Sequence, residues 1–342
     1  MAARIAVMEP AERNITLKEI GERGWLSILE NKLGKKISGN LLVPIGDDAA
    51  VFHFPQEKKL VITTDAMVEG THFYRHWLGW RGLASRAVLA AASDITAMGG
   101  IPLGFTISLG VPGDVLARDL ERFADGLLEI AEQYGLDILG GDTVGSPHLF
   151  VDVGVIGCAA ESRILRQQGA CAGDALWVTG TLGRSHAALI KAQLLDEGKA
   201  DLDDPCWRPP DRWGGLEAIR CALPLRAMTD LSDGLARDLG KILRNKPIDA
   251  RIELDHIPVD PFTREVASKL GRDPAELAYI GGEDYELLLV EAGDSFQQTE
   301  LKTEGMALHR IGKIHPGAGK VHLLREGESV RITDPLFEHF RT

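Results

Sequence analysis

Six short acidic segments recur along this chain, each with its carboxylates in a glycine-rich or strand-end position. They are Gly46-Asp47-Asp48; Thr63-Thr64-Asp65, running on to Glu69-Gly70-Thr71-His72-Phe73; Ser93-Asp94; Gly140-Gly141-Asp142-Thr143; Asp230-Leu231-Ser232-Asp233-Gly234; and Gly281-Gly282-Glu283-Asp284-Tyr285. Aspartate beside glycine is an ordinary turn, so a single segment means little. Six of them, most after a β-rich apolar run, call for sheets whose strand ends gather carboxylates at one edge. Like charges crowded in that way require cations among them. Oxygen ligands of this hardness suit Mg²⁺, and several Mg²⁺ ions usually accompany a polyphosphate. The pattern points to a metal-dependent enzyme acting on ATP.

At 342 residues the chain exceeds one ordinary core, and two domains are expected. A net charge of −12 argues against nucleic acid and against an anionic membrane surface as partners. None of the six segments contains a lysine or arginine, so a phosphate bound there needs metal ions to screen it. The four cysteines show no CxxC spacing and read as buried or incidental thiols. The first residues lack the apolar stretch of a signal peptide, and no apolar run approaches the roughly 20 residues that cross a bilayer. A reducing cytoplasm is the expected location.

Residues 1–16 read as an extension. Thr16 is placed to cap a helix through Glu19 and on to Leu33, with Ile20, Trp25, Ile28 and Leu29 on its apolar side. Strands are expected at Leu41–Pro44, Ala49–Phe54 and Leu60–Thr64, the last ending at Asp65. An alanine-rich helix over Trp80–Met98 stops at Gly99-Gly100-Ile101-Pro102. A strand at Phe105–Leu109 precedes an amphipathic helix over Asp114–Tyr134. Strands at Asp137–Leu139 and Leu149–Ile156 bracket Gly140-Gly141-Asp142 as a turn. A second α/β block has strands at Ala175–Thr179, Met228–Asp230, Ala250–Leu254, Glu286–Val290 and Ala307–Ile314. Its helices run over Ser185–Leu195 and from Ser232 to Leu243. The domain boundary falls near residue 158, in a connection between strands, giving domains 17–158 and 159–342.

Each segment also has a plain structural reading. Gly46-Asp47-Asp48 serves as an Asp-rich turn, His72 as a satisfied core imidazole, and the pair Asp230 and Asp233 as a helix cap. Asp94 is more telling, because it ends a helix that is otherwise almost wholly apolar from Ala84 to Met98. A lone buried carboxylate costs several kcal/mol, so it needs a cation, a partner or a shifted pKa. The P-loop, the protein-kinase loop set and the GxGxxG fingerprint are all absent from the sequence. Use of ATP would therefore proceed without the common nucleotide-binding motifs.

In this order, the segments resemble the thiamine-monophosphate kinases of the AIR synthase-like superfamily. The likeness also takes in Ala97-Met98-Gly99-Gly100-Ile101-Pro102, Val178-Thr179-Gly180-Thr181-Leu182-Gly183, Ser232-Asp233-Gly234-Leu235, Gly281-Gly282-Glu283-Asp284-Tyr285-Glu286-Leu287 and His339-Phe340. It runs from about residue 17 to the end. The resemblance implies a two-domain α/β (α+β) protein with a C-terminal α/β domain, dimerising through its N-terminal domain sheets. It implies transfer of the ATP γ-phosphoryl group to thiamine phosphate, with Mg²⁺ as cofactor. By motif position, the metal ligands would be Asp48, Thr63, Thr64, Asp65, Asp94, Asp142, Asp230 and Asp233, with Asp65, Asp94 and Asp142 central to catalysis. Gly141, Asp142, Arg166 and Ser232 would contact ATP; His72, Glu283 and Phe340 would contact the acceptor.

Two stretches depart from the family pattern. Arg208-Pro209-Pro210-Asp211-Arg212 stands where an Arg-Pro-x-Pro-Arg loop is usual, and Arg166-Gln167-Gln168-Gly169-Ala170 lacks the usual serine or aspartate. Competing functions are AIR synthase, selenophosphate synthetase, a hydrogenase-maturation enzyme, or a non-catalytic nucleotide sensor. The selenium enzyme usually needs an N-terminal reactive Cys or selenocysteine, and the first cysteine here is Cys158. The maturation protein ends in a Cys-containing tail, whereas this chain ends His-Phe-Arg-Thr.

Overall fold

A computed structural model describes residues 15–33, 41–43, 49–195, 208–295, 298–303 and 305–332. These fall into two compact units, one built on residues 15–95 and 101–161, the other on 96–100, 162–195 and 209–332. Residue 158, where the sequence puts the domain boundary, is still inside a strand, and the division follows Glu161.

The first unit begins with α1 (Leu17–Leu33). Both the Thr16 amide and its hydroxyl donate to the Glu19 carboxylate, at 2.7 and 2.8 Å, the reciprocal half of a capping box. Trp25 and Ile28 are buried as the helical spacing requires, and the indole of Trp25 donates to Thr143 Oγ1 at 3.1 Å. Strands β1 (Leu41–Val43) and β2 (Val51–Phe52) form a small antiparallel pair. Then follow β3 (Lys59–Val68), α2 (Trp80–Ala97), β4 (Ile101–Val111), α3 (Ala117–Tyr134), β5 (Asp137–Gly145) and β6 (Phe150–Ala159). The four long strands lie in the order β3-β6-β4-β5. The β4–β5 pair is parallel, which demands a crossover, and α3 supplies it.

Period-two alternation separates the two faces of this sheet. Val151, Val153, Val155, Phe105 and Ile107 are buried on one face with the alanines of α2 and with Leu120, Phe123, Leu127 and Ile130 of α3. On the other face Leu60, Ile62 and Ile101 are 51, 66 and 52% exposed.

The second unit contains β7 (Ala175–Thr179), α4 (Arg184–Ile190), α5 (Leu216–Ala222), β8 (Leu225–Asp230), α6 (Leu235–Leu243) and β9 (Ile248–Glu253). It continues through α7 (Pro261–Leu270), α8 (Pro274–Ile280), β10 (Leu287–Glu291), β11 (Glu300–Thr303), β12 (Met306–Pro316), β13 (Val321–Arg325) and β14 (Glu328–Val330). Its strands run β14-β13-β9-β12-β7-β10-β8, with β11 on the free half of β12. One core joins Leu176, Val178, Leu288 and Val290 of the central strands to Leu235, Leu239 and Ile242 of α6. A smaller cluster joins α4, α7 and α8 through Ala187, Ile190, Val266 and Leu277.

Three expectations from sequence need correcting. The segment Gly140-Gly141-Asp142 is not a turn but the middle of β5. Its glycine serves close backbone approach, because a Cβ on Gly141 would lie 2.1 Å from the Ile107 carbonyl oxygen. Helix α6 starts at Leu235 rather than Ser232, since Gly234 at φ 95° breaks helical geometry before it. Strand β3 does not end at Asp65 but continues to Val68, paired throughout with β6.

Candidate functional site

In the first unit the alternation of β3 decides which groups meet. Thr63 and Asp65 point to the helix-covered face, and the Thr63 hydroxyl donates to Asp94 Oδ2 at 2.7 Å. Asp94 is half-buried near the end of α2, and the β3 hydroxyl is its partner there. Thr64 points to the opposite face, where its hydroxyl donates to Asp152 Oδ1 at 2.8 Å. Asp142 lies on that second face too: it is in register with Ser108, which is in register with Asp152. Its neighbour Thr143 faces the other way, toward Trp25. Of the eight residues read as metal ligands, five lie in the described part of this unit, with Thr63, Asp65 and Asp94 toward one face of the sheet and Thr64 and Asp142 toward the other. Gly141 is exposed beside Asp142. Asp48 and Phe340 lie outside the described residues.

His72 sits in the turn after β3. The Val68 backbone N–H donates to its Nδ1 at 3.0 Å, so the neutral imidazole carries its proton on Nε2. It can donate from that nitrogen.

In the second unit two loops are stitched together. The Glu283 amide donates to the Ser232 carbonyl at 2.8 Å, the Tyr285 amide to Leu231 at 2.9 Å, and the Leu231 amide to Glu286 at 2.8 Å. Asp230, Ser232, Asp233 and Glu283 are thereby brought together at the ends of β8 and β10. Glu283 and Tyr285 both have positive φ, 63° and 51°, an uncommon conformation for residues with side chains. Such strain persists where the surroundings over-determine the loop. Arg166 is exposed and enters through its backbone, its carbonyl accepting the Met228 amide of β8 at 3.4 Å.

Three residues that the sequence did not single out complete this end. Lys241 of α6 lies 2.6 Å from Asp238 and 3.1 Å from Asp233. Burial pushes the Asp238 carboxyl up to about 6 in spite of the Lys241 charge, while Asp238 and Asp233 outweigh burial and raise the pKa of Lys241. The i,i+3 spacing of Asp238 and Lys241 was the available signal. The third is Arg212, whose guanidinium grips both carboxylate oxygens of buried Glu286. The Thr179 hydroxyl also donates to Glu286, and itself accepts the Leu287 amide at 2.8 Å.

Asp284 is buried, and its Oδ2 accepts the Gly183 amide at 2.7 Å. Burial pushes its carboxyl up to about 8, with the Glu286 and Asp260 charges raising it further against the Gly183 and Ser185 amides. The folded chain therefore holds a proton that the unfolded chain releases near its ordinary value of 3.8. Stability from this group is greatest below that value and falls as pH rises toward about 8. Asp284→Asn is expected to flatten that fall. Thermal unfolding at about pH 5 and about pH 9 checks it; an equal gap between variant and parent at both pH values would refute it.

Comparison with known proteins now places the chain. Residues 46–159 match the AIR synthase related protein N-terminal domain, and residues 172–324 match the corresponding C-terminal domain. The thiamine-monophosphate kinase of Escherichia coli strain K12 is 34% identical over 306 residues, covering 87% of this chain and 92% of the relative. The Aquifex aeolicus thiamine-monophosphate kinase is 30% identical over 311 residues, covering 89% and 94%. A crystal structure of the kinase from Stenotrophomonas maltophilia K279a superposes with a TM-score of 0.73 at 31% identity, covering 88% and 95%. The structure described as AaThiL complexed with AMPPCP and TMP gives 0.70 at 28%, covering 93% and 97%. The hydrogenase maturation protein HypE of E. coli also gives 0.70, but at 18% identity this shows a shared fold alone. With both domains matched in order and the kinases similar over nearly their whole length, this two-unit chain belongs to the thiamine-monophosphate kinase family of AIR synthase related proteins.

Proposed function

We propose that this chain transfers the γ-phosphoryl group of ATP to thiamine phosphate, giving thiamine diphosphate. The observation that carries the reading is the 34% identity to a thiamine-monophosphate kinase over 306 residues. A relative of the same fold bound to AMPPCP and TMP supports the two substrates.

Among the described residues no three acidic, His or Cys side chains converge on one point. The carboxylate and hydroxyl oxygens of Thr63, Asp65, Asp94, Asp230 and Asp233 are of the kind that suits Mg²⁺, which keeps several waters and takes one or two carboxylates together with substrate phosphates. These residues would be its ligands, with Thr64, Asp142 and Asp48 as further ones. When bound, Mg²⁺ supplies the positive charge that lets two phosphate groups approach each other. Ser232, Gly141 and Arg166 are assigned to ATP, and His72, Glu283 and Phe340 to the acceptor.

Transfer is direct. The acceptor oxygen belongs to a phosphate already ionised at neutral pH, so no general base is required. His72 is committed at Nδ1 and presents Nε2–H, a donor suited to a phosphate oxygen. ADP release measured with and without thiamine phosphate tests the reading: release that needs thiamine phosphate supports it. Release with another acceptor alone would favour a sister enzyme, and no release a nucleotide sensor.

The exposed face of the first sheet supports a homodimer. Leu60, Ile62 and Ile101 are each more than half exposed on that face, a surface that a soluble chain normally covers. Pairing it with a second copy covers it at one step. Light scattering is expected to give a dimer at micromolar concentration, and a fully active monomer would rule this out. A cytoplasmic location is part of the same proposal. No described helix is long and apolar enough to cross a membrane.

A further inference from the structure

The six acidic segments contain no cation of their own, yet the fold delivers one to the fifth. Lys241, one turn from the C-terminal end of α6, has its ammonium 2.6 Å from Asp238 Oδ1, 3.1 Å from Asp233 Oδ2 and 3.5 Å from Ser232 Oγ. Two of these contacts are ion pairs and the third is a hydrogen bond to the Ser232 hydroxyl. Asp238 is fully buried, and its second oxygen accepts the Asp233 amide at 3.1 Å. One buried carboxylate thus fixes both the ammonium and the backbone of the residue that the ammonium touches. Lys241 cannot swing away without leaving Asp238 as an uncompensated buried charge. Asp233, by contrast, has a side chain 48% exposed, with Oδ2 engaged and Oδ1 on its other side.

We infer that Lys241 is a resident cation of the Asp230–Gly234 turn, which weakens the hold of this turn on a bare divalent ion and favours the metal–nucleotide complex. With Oδ2 occupied, Asp233 meets a metal through one oxygen, and the fixed positive charge opposes a second cation. The same charge, 3.5 Å from the Ser232 hydroxyl, attracts the phosphate that Ser232 is assigned to bind. Lys241 is a positioning and charge-setting residue, acting through Asp233 and Ser232. The inference rests on the reading of Asp233 as a metal ligand.

The test is Mn²⁺ binding to the nucleotide-free full chain, read by electron paramagnetic resonance, with KM for ATP measured in parallel. Lys241→Met is expected to tighten Mn²⁺ about tenfold, from removal of one charge within a few ångströms of the bound ion, and to raise KM for ATP. Lys241→Arg keeps the charge and is expected to stay at the parent value. The double variant Lys241→Met/Asp238→Asn removes one charge of each sign together, so it guards against unfolding; with Asp233 Oδ2 released it should still tighten Mn²⁺, but by less than Lys241→Met. Unchanged or weaker Mn²⁺ binding in folded Lys241→Met, or weaker binding in the double variant where the single one does not fold, with Asp233→Asn weakening it, overturns the inference and leaves the ligand assignment standing. Mn²⁺ binding unchanged in Asp233→Asn removes the assignment and the inference with it. Neither outcome depends on whether thiamine phosphate is turned over.

Discussion

Asp94→Asn is expected to lower kcat by at least about a hundredfold, the scale on which a single electrostatic contact to a transition state acts. The far-UV circular dichroism and the melting temperature should stay at the parent values. The reason lies in the local geometry. Thr63 Oγ1 donates to Asp94 Oδ2 at 2.7 Å, and an asparagine oxygen accepts the same bond. The substitution therefore keeps the link between β3 and α2 and removes the charge alone. Phosphoryl transfer asks the protein for positioning and charge stabilisation and little covalent chemistry, so the loss falls on turnover. Asp65→Asn, on the same face of β3, should behave alike. Near-normal turnover in Asp94→Asn would show that its carboxylate serves only the Thr63 contact.

The parts of the fold legible in the sequence are those where one period dominates. Leu120, Phe123, Leu127 and Ile130 repeat at helical spacing, and α3 buries all four. The run Ala175–Thr179 is apolar up to its final threonine and is a fully buried central strand with the same bounds. The helices α7 and α8 were missed although both carry a local signal. Each begins Asp-Pro, with Asp260 and Asp273 accepting the amides of Phe262 and Ala275 at 2.8 Å and proline at the first helical position. The strands β11, β13 and β14, at and next to the sheet edge, are short and alternate weakly, so pairing rather than pattern defines them.

For the candidate site the sequence supplies the residues and not their grouping. Thr63, Thr64 and Asp65 are adjacent in the chain, yet a strand sends Thr64 to the opposite face, toward Asp152. Gly140-Gly141-Asp142 has the composition of a turn, but tertiary pairing with β4 overrides it. Lys241 escapes notice because it reaches Asp233 across a helix start, a contact between elements that no motif spans. The same holds for Arg212 and Glu286, which are 74 residues apart.

Free thiamine is expected to be phosphorylated at least about four orders of magnitude less efficiently than thiamine phosphate, in kcat/KM. A site built to engage a charged group rejects an analogue that lacks it, because its polar partners are then left facing nothing. The proposed ligands are carboxylate and hydroxyl oxygens, which with Mg²⁺ would hold phosphate oxygens in place for transfer. An alcohol brings no charge to that arrangement and also needs its proton removed. His72 is poorly suited to remove it: Nδ1 already accepts the Val68 amide at 3.0 Å, and Nε2 carries hydrogen. Glu283, at φ 63° with its amide donating a hydrogen bond to the Ser232 carbonyl, is the carboxylate proposed for the cationic ring of the acceptor. Both compounds share that ring, so affinity for it does not discriminate, and the terminal phosphate decides. Steady-state ADP release with each compound checks this, with inorganic phosphate and no acceptor as controls. Brisk turnover of free thiamine would mean that a general base is present, and the assignment of His72 as a donor would fall with it.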